Sequence, residues 1–256
     1  MTEIFSLEGR TATVIGGSGV LGGRFCEVLS AAGARVAVLG TSEERTERVA
    51  ARLRQRGGEA LALQCDVTQL QEVASAEARI AASLGGTDIL VNAPGVNSPT
   101  PFWEIDLAEW ERILAVNLTG VFLACQVFSR GMAGRGRGGS IVNISSASSE
   151  IPLSRVLTYS VSKAGVDSLT RWLGRELAPH RIRVNALAPG FFPAEQNRRI
   201  LSPERVAAVL GHTAMGRLGE PSELDGALLY LASERASGFV TGTVLRVDGG
   251  FTAMTI

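Results

Sequence analysis

Short runs rich in Val, Ile, Leu and Ala recur along the chain, and between them lie longer stretches whose apolar residues return with helical period. The runs Thr11–Ile15, Arg35–Leu39, Ala60–Gln64, Ile89–Val91, Ser140–Ile144, Arg183–Leu187 and Val244–Val247 read as strands. Val20–Ala32, Glu43–Gln55, Gln69–Ser83, Leu107–Arg130, Leu157–Leu177 and Pro221–Ala232 read as helices, the last with Pro at its start. Strands separated by helices cannot pair through tight hairpins. They pair in parallel, each helix crossing over one face of the sheet. The alternation predicts an α/β fold: one doubly wound parallel sheet flanked by helices on both faces. No repeat or linker interrupts the pattern, so one domain over residues 1–256 is expected. The only biased stretch, Gly131–Gly139, reads as a solvated turn ending the long helix, since it leads into a strand.

The turn after the first strand narrows the fold further. It reads Ile15-Gly16-Gly17-Ser18-Gly19-Val20-Leu21-Gly22-Gly23. Glycine lets the backbone turn sharply from strand to helix. It also lets a pyrophosphate approach the helix N-terminus, where unpaired N–H groups and the dipole favour negative charge. With a strand before it and a helix after it, the loop predicts a Rossmann-type sheet that binds a dinucleotide. The second strand runs into Gly40-Thr41-Ser42. An acidic residue here would bind the adenosine ribose hydroxyls of NAD, and none is present. Gly40 leaves room for a 2′-phosphate, Thr41 and Ser42 can donate to it, and Arg45 is the nearest cation. NADP is thus favoured over NAD. Asp66, in Cys65-Asp66-Val67, is placed either to reach the adenine or to cap the next helix.

Composition excludes several other classes. Lys+Arg and Asp+Glu are 25 each, so global charge supports neither a nucleic-acid nor a membrane-surface partner. Cys26, Cys65 and Cys125 are odd in number and widely spaced, which implies neither a disulfide framework nor a zinc site. Three buried thiols in a reducing cytoplasm are expected. The polar N-terminus is not a signal peptide, and no apolar run reaches the ~18 residues of a membrane span. His180 and His212 have no metal-like spacing and read as surface or loop residues, so no metal is expected.

A second constellation carries chemistry. Tyr159 and Lys163 are four apart on a predicted helix and share a face. An ammonium beside the phenol stabilises phenolate and draws its pKa from ~10 towards neutrality. Tyr159 then becomes a usable general acid–base. Ser146 lies just past a predicted strand, at the carboxyl edge of the sheet. There its hydroxyl can hydrogen-bond a substrate carbonyl or the oxyanion formed from it.

With these residues in hand, the chain resembles the compact short-chain dehydrogenases/reductases over nearly its whole length. Ser146, Asn117 and Tyr159-Ser160-Val161-Ser162-Lys163 fall where that family keeps Ser, Asn and Tyr-x-x-x-Lys. Asn92-Ala93-Pro94-Gly95 resembles its NNAG, Pro189-Gly190 its PG, and Val247-Asp248-Gly249-Gly250 its VDGG. The resemblance implies that Tyr159 transfers the proton and that Ser146 polarises the substrate oxygen. Lys163 would also hold the nicotinamide ribose, and Asn117 a relay water. It further implies cofactor contacts from Gly16, Ser18, Gly19, Leu21 and Gly22, and from Gly40, Thr41, Ser42, Asp66 and Val67. Asn92, Ala93, Tyr159, Lys163, Pro189, Gly190 and Phe192 complete that set. Three departures stand out. Ile15 replaces the Thr of T-G-x-x-x-G-x-G and Val20 its second Gly, so the loop is expected to bend at Gly19. Ala93-Pro94 replaces Asn-Ala. Phe191-Phe192-Pro193-Ala194 lacks the Thr that follows PG.

Within the family, the chain is similar to the branch holding the fructuronate reductase (mannonate oxidoreductase) type and related sugar-acid dehydrogenases. That resemblance implies reversible ketone/secondary-alcohol chemistry on a sugar, polyol or sugar acid. Arg155, and Arg198 or Arg199, are candidates to meet a carboxylate in bidentate fashion, or are solvated or interfacial. A 3-oxoacyl thioester reductase and a catalytically silent dinucleotide sensor are the competing readings. The second has no need of Ser146, Tyr159 and Lys163 together. The apolar residues Phe122, Val127, Phe128, Val166, Leu169, Trp172 and Leu173 exceed what one sheet-facing side requires. With the family resemblance, they imply a homodimer or homotetramer.

Overall fold

A computed structural model describes residues 3–192 and 202–254. Seven strands form one sheet: β1 (Thr11–Ile15), β2 (Arg35–Gly40), β3 (Ala60–Gln64), β4 (Ile89–Asn92), β5 (Gly139–Ile144), β6 (Ile182–Pro189) and β7 (Val244–Val247). Their order is β3-β2-β1-β4-β5-β6-β7, and every pairing is parallel. The strands β1, β4 and β6 are buried at every residue, as a sheet covered on both faces requires. The predicted doubly wound α/β sheet is thus the observed one.

The two covers are separate cores. On one face, α1 (Val20–Ala31) and α2 (Glu43–Gln55) pack with α8 (Asp225–Ala232) through Phe25, Leu29, Val49, Leu53, Leu228 and Leu231. On the other, α3 (Leu70–Leu84), α5 (Gly120–Arg135) and α6 (Leu157–Glu176) bury Ile80, Val121, Phe128, Met132 and Val166. The winding reverses between β1 and β4. The crevice that opens there, beyond the strands' carboxyl ends, is where such sheets bind ligands. The glycine loop after β1 and Asn92–Gly95 after β4 border it, with Ser146 after β5 and Pro189-Gly190 ending β6 on the same edge.

Three elements differ from the sequence-based expectation. The helix expected over Leu107–Arg130 is α4 (Leu107–Leu114), one π turn (Ala115–Thr119) and α5, and it continues to Arg135. Gly131 does not end it; it lies within the helix where α3 comes so close that a Cβ would stand 2.3 Å from Glu77 Oε1. Gly136, at φ 65°, ends it instead. The arginines that follow are not merely solvated. Arg135 binds Thr87 O and pairs with Glu77, and Arg137 Nη2 lies 3.0 Å from Asp88 Oδ1. Next, α7 (Pro203–Gly211) was not expected; Ser202 caps it and Pro203 opens it. Finally, Pro221–Ala232 divides into a 3-10 turn at Pro221–Leu224 and α8.

The helix Leu107–Arg135 is 29 residues long, with a mean hydropathy of 1.5 in its most apolar window. By length and composition it could cross a membrane, contrary to the count of uninterrupted apolar residues. Its Val121, Ala124, Cys125, Phe128 and Met132 are instead buried against the sheet and α3, as in a core helix.

Candidate active site

The glycine loop makes a cradle. Gly16 has φ 76°, and a Cβ on it would stand 2.5 Å from Ala93 O on the neighbouring β4 segment. A Cβ on Gly22 would stand 2.1 Å from Gly16 O. The bend is therefore made at Gly16, where the loop crosses the end of β4, and not at Gly19. Gly19 is extended (φ −80°, ψ 172°) and is the N-cap of α1, with no side-chain cap bond. The first turn of α1 is thus left to offer N–H groups and dipole to an anion. Val20 is 46% exposed, which explains why a side chain is tolerated where the family keeps Gly. Leu21 packs on the core. This cradle fits a pyrophosphate.

The adenosine end is less open than expected. Gly40 is buried, and a Cβ on it would stand 2.7 Å from Ser18 Oγ and 3.2 Å from Thr46 Cγ2. Ser18 Oγ thus occupies the place that a side chain on Gly40 would take. Ser42 Oγ accepts from Arg45 N at 3.3 Å and caps α2. Thr41 is exposed beside them. Asp66 does not cap α3, whose N-cap is Gln69. Its Oδ1 instead accepts from Thr68 N and Oγ1, at 2.9 and 2.8 Å. Val67 is buried against Gly120. Asn92 turns its amide into the sheet. Its Nδ2 donates to Asn143 Oδ1 at 2.9 Å and lies 3.3 Å from Cys125 Sγ, while Asn143 Nδ2 donates to Thr170 Oγ1 at 2.9 Å. That chain ties β4, β5, α5 and α6.

Four residues named from the sequence converge at the carboxyl ends of β4 and β5. Lys163, 2% exposed, donates from Nζ to Ile144 O at 2.8 Å and to Pro94 O at 3.5 Å. Its Nζ lies 5.6 Å from the centre of the Tyr159 ring. Ser146 lies near enough to the Tyr159 phenol to favour its ionised form. Ser146 Oγ accepts from Ser148 N at 3.2 Å and lies 3.0 Å from Ser148 Oγ. Asn117 is fully buried in the π turn. Its Oδ1 accepts from Val96 N at 2.8 Å, and its Nδ2 donates to Val96 O at 2.9 Å and to Ser162 Oγ at 3.1 Å. Ser162 Oγ in turn donates to Tyr159 O at 2.6 Å. Ser162 went unnoticed in the sequence. Its signal was its place one residue before Lys163, on the buried side of the same helix.

The electrostatics also depart from expectation. Burial pushes the Tyr159 phenol above its ordinary value, and Ser146 only partly opposes this. Burial lowers Lys163 to about 8, against a weaker upward pull from Asp167. The expected lowering of Tyr159 by Lys163 is absent: desolvation dominates, and the ammonium donates to two carbonyls. Such a site holds a protonated phenol at neutral pH, ready to donate, beside a lysine that is mostly charged.

Over this edge sits a third apolar cluster. Val209 of α7, Ala147 and Phe251 are buried there, with Ile151, Leu153, Phe191 and Leu218 against them. Arg205 Nη2 donates to Ser154 O, fastening α7 to the segment between Ser146 and Tyr159. Arg155, next to Ser154, is exposed at φ 60°. Arg198 and Arg199 lie outside the described residues. His212 is not a plain surface residue; it stacks edge-on against Phe251, with centres 4.8 Å apart. Gly190 N donates to Val247 O at 3.0 Å, and Phe192 is buried in the core under Gly219. A cavity of about 340 Å³ lies beneath, lined by Phe191, Phe192, Met215, Arg217, Arg246 and Asp248 among others. None of Ser146, Tyr159 and Lys163 lines it.

A protein-family model described as enoyl-(acyl carrier protein) reductase matches residues 19–252. The chain is 37% identical to a 5-keto-D-gluconate 5-reductase of Escherichia coli (strain K12), over 98% of each chain. It is 39% identical to a galactitol 2-dehydrogenase (L-tagatose-forming) of Cereibacter sphaeroides, over 97% of each. Among solved structures, it matches a gluconate 5-dehydrogenase from Burkholderia cenocepacia J2315 in complex with NADP and tartrate. That match has a TM-score of 0.95 and 35% identity, and covers 99% of each chain.

Proposed function

The chain belongs to the short-chain dehydrogenase/reductase family, and we propose that it interconverts a ketone and a secondary alcohol on a sugar, polyol or sugar acid, with NADP preferred to NAD. The observation that carries this reading is the cluster of Tyr159, Lys163, Ser146 and Asn117 at one sheet edge, beside a cradle that fits a pyrophosphate. When bound, the nicotinamide supplies or takes the hydride. The protein's part is the proton. Ser146 Oγ hydrogen-bonds the substrate oxygen, and Tyr159 delivers the proton as the alcohol forms or removes it in the reverse direction. Lys163, held by Ile144 O and Pro94 O, keeps a positive charge beside the phenol and steadies the phenolate left behind. Asn117 fixes the loop after β4 and, through Ser162, the backbone of Tyr159.

The sugar-acid reading draws on the relatives, whose printed activities are on polyhydroxylated carbon chains. The NADP preference draws on the missing carboxylate at Gly40 and Thr41 and on the NADP complex of the solved relative. We read residues 1–256 as one domain, since a single sheet takes strands from Thr11 to Val247. A homodimer or homotetramer in a reducing cytoplasm fits the exposed Phe122, Leu157, Val161 and Trp172 and the three free, buried cysteines. A carrier-thioester reductase is the second reading, favoured by the description of the matching family. The test is NADPH and NADH consumption with 5-keto-D-gluconate, L-tagatose, 4-oxocyclohexanecarboxylate and an acetoacetyl thioester. Fastest turnover is expected on one of the first two, and turnover of the thioester alone would replace this reading with the second.

A further inference from the structure

The loop after β4 carries polar groups that no step above uses. It is fixed at two points: Pro94 O accepts from Lys163, and Val96 is held at both backbone groups by Asn117. Asn97, Ser98 and Thr100 follow, all half-buried. Two residues of extended chain span about 7 Å, so Ser98 cannot lie farther than that from the Val96 clamp.

The hydroxyls here form a chain whose polarity can be worked out. Thr100 Oγ1 lies 2.7 Å from Glu109 Oε2, and Ser98 Oγ lies 2.7 Å from Thr100 Oγ1. A carboxylate only accepts, so the single proton of Thr100 goes to Glu109. Thr100 must then accept from Ser98, whose single proton is committed in turn. Ser98 Oγ has only lone pairs left to offer. Asn97 has the opposite bias: its Oδ1 accepts from Ser98 N at 2.8 Å, which leaves the NH2 group as its outward face.

A hydroxyl group donates one hydrogen bond and accepts another, and so satisfies both residues. A carboxylate would face lone pairs at Ser98, and a bare methylene would leave both groups without a partner. We propose that Asn97 and Ser98 form a subsite for a substrate hydroxyl near the reacting carbon, with Glu109 setting the polarity of Ser98 through Thr100. The proposal rests on the reading of this site as a ketone/alcohol oxidoreductase. It adds that the pocket selects hydroxylated ketones over bare ones.

The experiment uses the full chain with NADPH, comparing 5-keto-D-gluconate and L-tagatose with 4-oxocyclohexanecarboxylate. Wild type is expected to favour the better hydroxylated ketone by at least about tenfold in kcat/KM. Ser98→Ala should raise KM for that ketone about 3- to 10-fold, as for one lost neutral hydrogen bond, with kcat within about twofold. KM for the bare ketone should not move. Glu109→Gln should have the same selective effect, because its amide can donate to Thr100 and reverse the chain. Thr100→Ser should behave as wild type and Thr100→Val should not. Glu109→Gln keeps the test available if Ser98→Ala fails to fold. Equal KM increases on hydroxylated and bare ketones would make the loop merely structural and overturn the subsite. A wild-type preference for the bare ketone would overturn it while the oxidoreductase reading stands. No turnover of any ketone would overturn both.

Discussion

Lys163 is an ammonium with 2% of its surface exposed, held by two carbonyl oxygens. Burial lowers it from 10.5 to about 8. Its charge is therefore complete below about 8 and lost as pH rises through it. Reduction at limiting substrate should be flat below pH 8 and fall above it, as a kcat/KM profile will show. A profile level to pH 10 contradicts the role given to the ammonium. In Lys163→Arg, whose guanidinium stays charged, whatever activity remains should lack that alkaline limb. Stability runs the other way. Burying the charge costs most below about 8, and the cost is relieved as pH climbs towards 10.5, so thermal stability should rise over that window. At the adenosine end, Thr41 is exposed where a carboxylate would repel a 2′-phosphate. Thr41→Asp is expected to move the NADP/NAD ratio of kcat/KM towards NAD by at least about tenfold. An unchanged ratio would place the discrimination elsewhere. Tyr159, Lys163, Ser146 and Asn117 were legible because spacing and motif name them. The direction of the Tyr159 shift and the filling of Gly40 by Ser18 were not, since burial is set by residues distant in sequence.

The π turn Ala115–Thr119 is the element on which the site depends most. It sets Asn117, buried, against Val96 and Ser162 at once. Asn117→Ala removes both partners of Val96 and is expected to cost of order 1–3 kcal/mol for each buried group left unpaired. It should also lower kcat, because the loop after β4 and the Tyr159 backbone lose a shared anchor. A variant with a lower melting temperature but unchanged kcat would make Asn117 structural only. From sequence, this stretch could only be one long helix, because a π turn keeps the apolar periodicity nearly intact. The segment α7 was missed for another reason. It is only nine residues long, although the Ser202-Pro203 start signal and the helical spacing of Val206, Val209 and Leu210 were there to be read. The strands were easier: they are short runs of Val, Ile, Leu and Ala between helices, and β1, β4 and β6 are buried at every residue.

At the scale of the molecule, the sheet order brings the glycine loop after β1 and Ser146 after β5 to one edge. The helices α4 to α6 leave a separate apolar surface. Phe122 is 43% exposed and Trp172 59%, whereas Phe128 and Val166, expected to share that surface, face the core. Only the fold could sort these residues, since helical period alone does not say which of two apolar faces meets the sheet. Light scattering at micromolar concentration should give a dimer or tetramer, and Trp172→Glu should shift it towards the monomer. A monomeric wild type would remove the assembly. The account as a whole stands on proton transfer by Tyr159. The measurement closest to it is the kcat of Tyr159→Phe with NADPH and the best hydroxylated ketone, on protein shown to be folded. The account predicts a loss of at least about 10²-fold from removing one positioned acid–base group, with KM changed far less; turnover near that of wild type would contradict it.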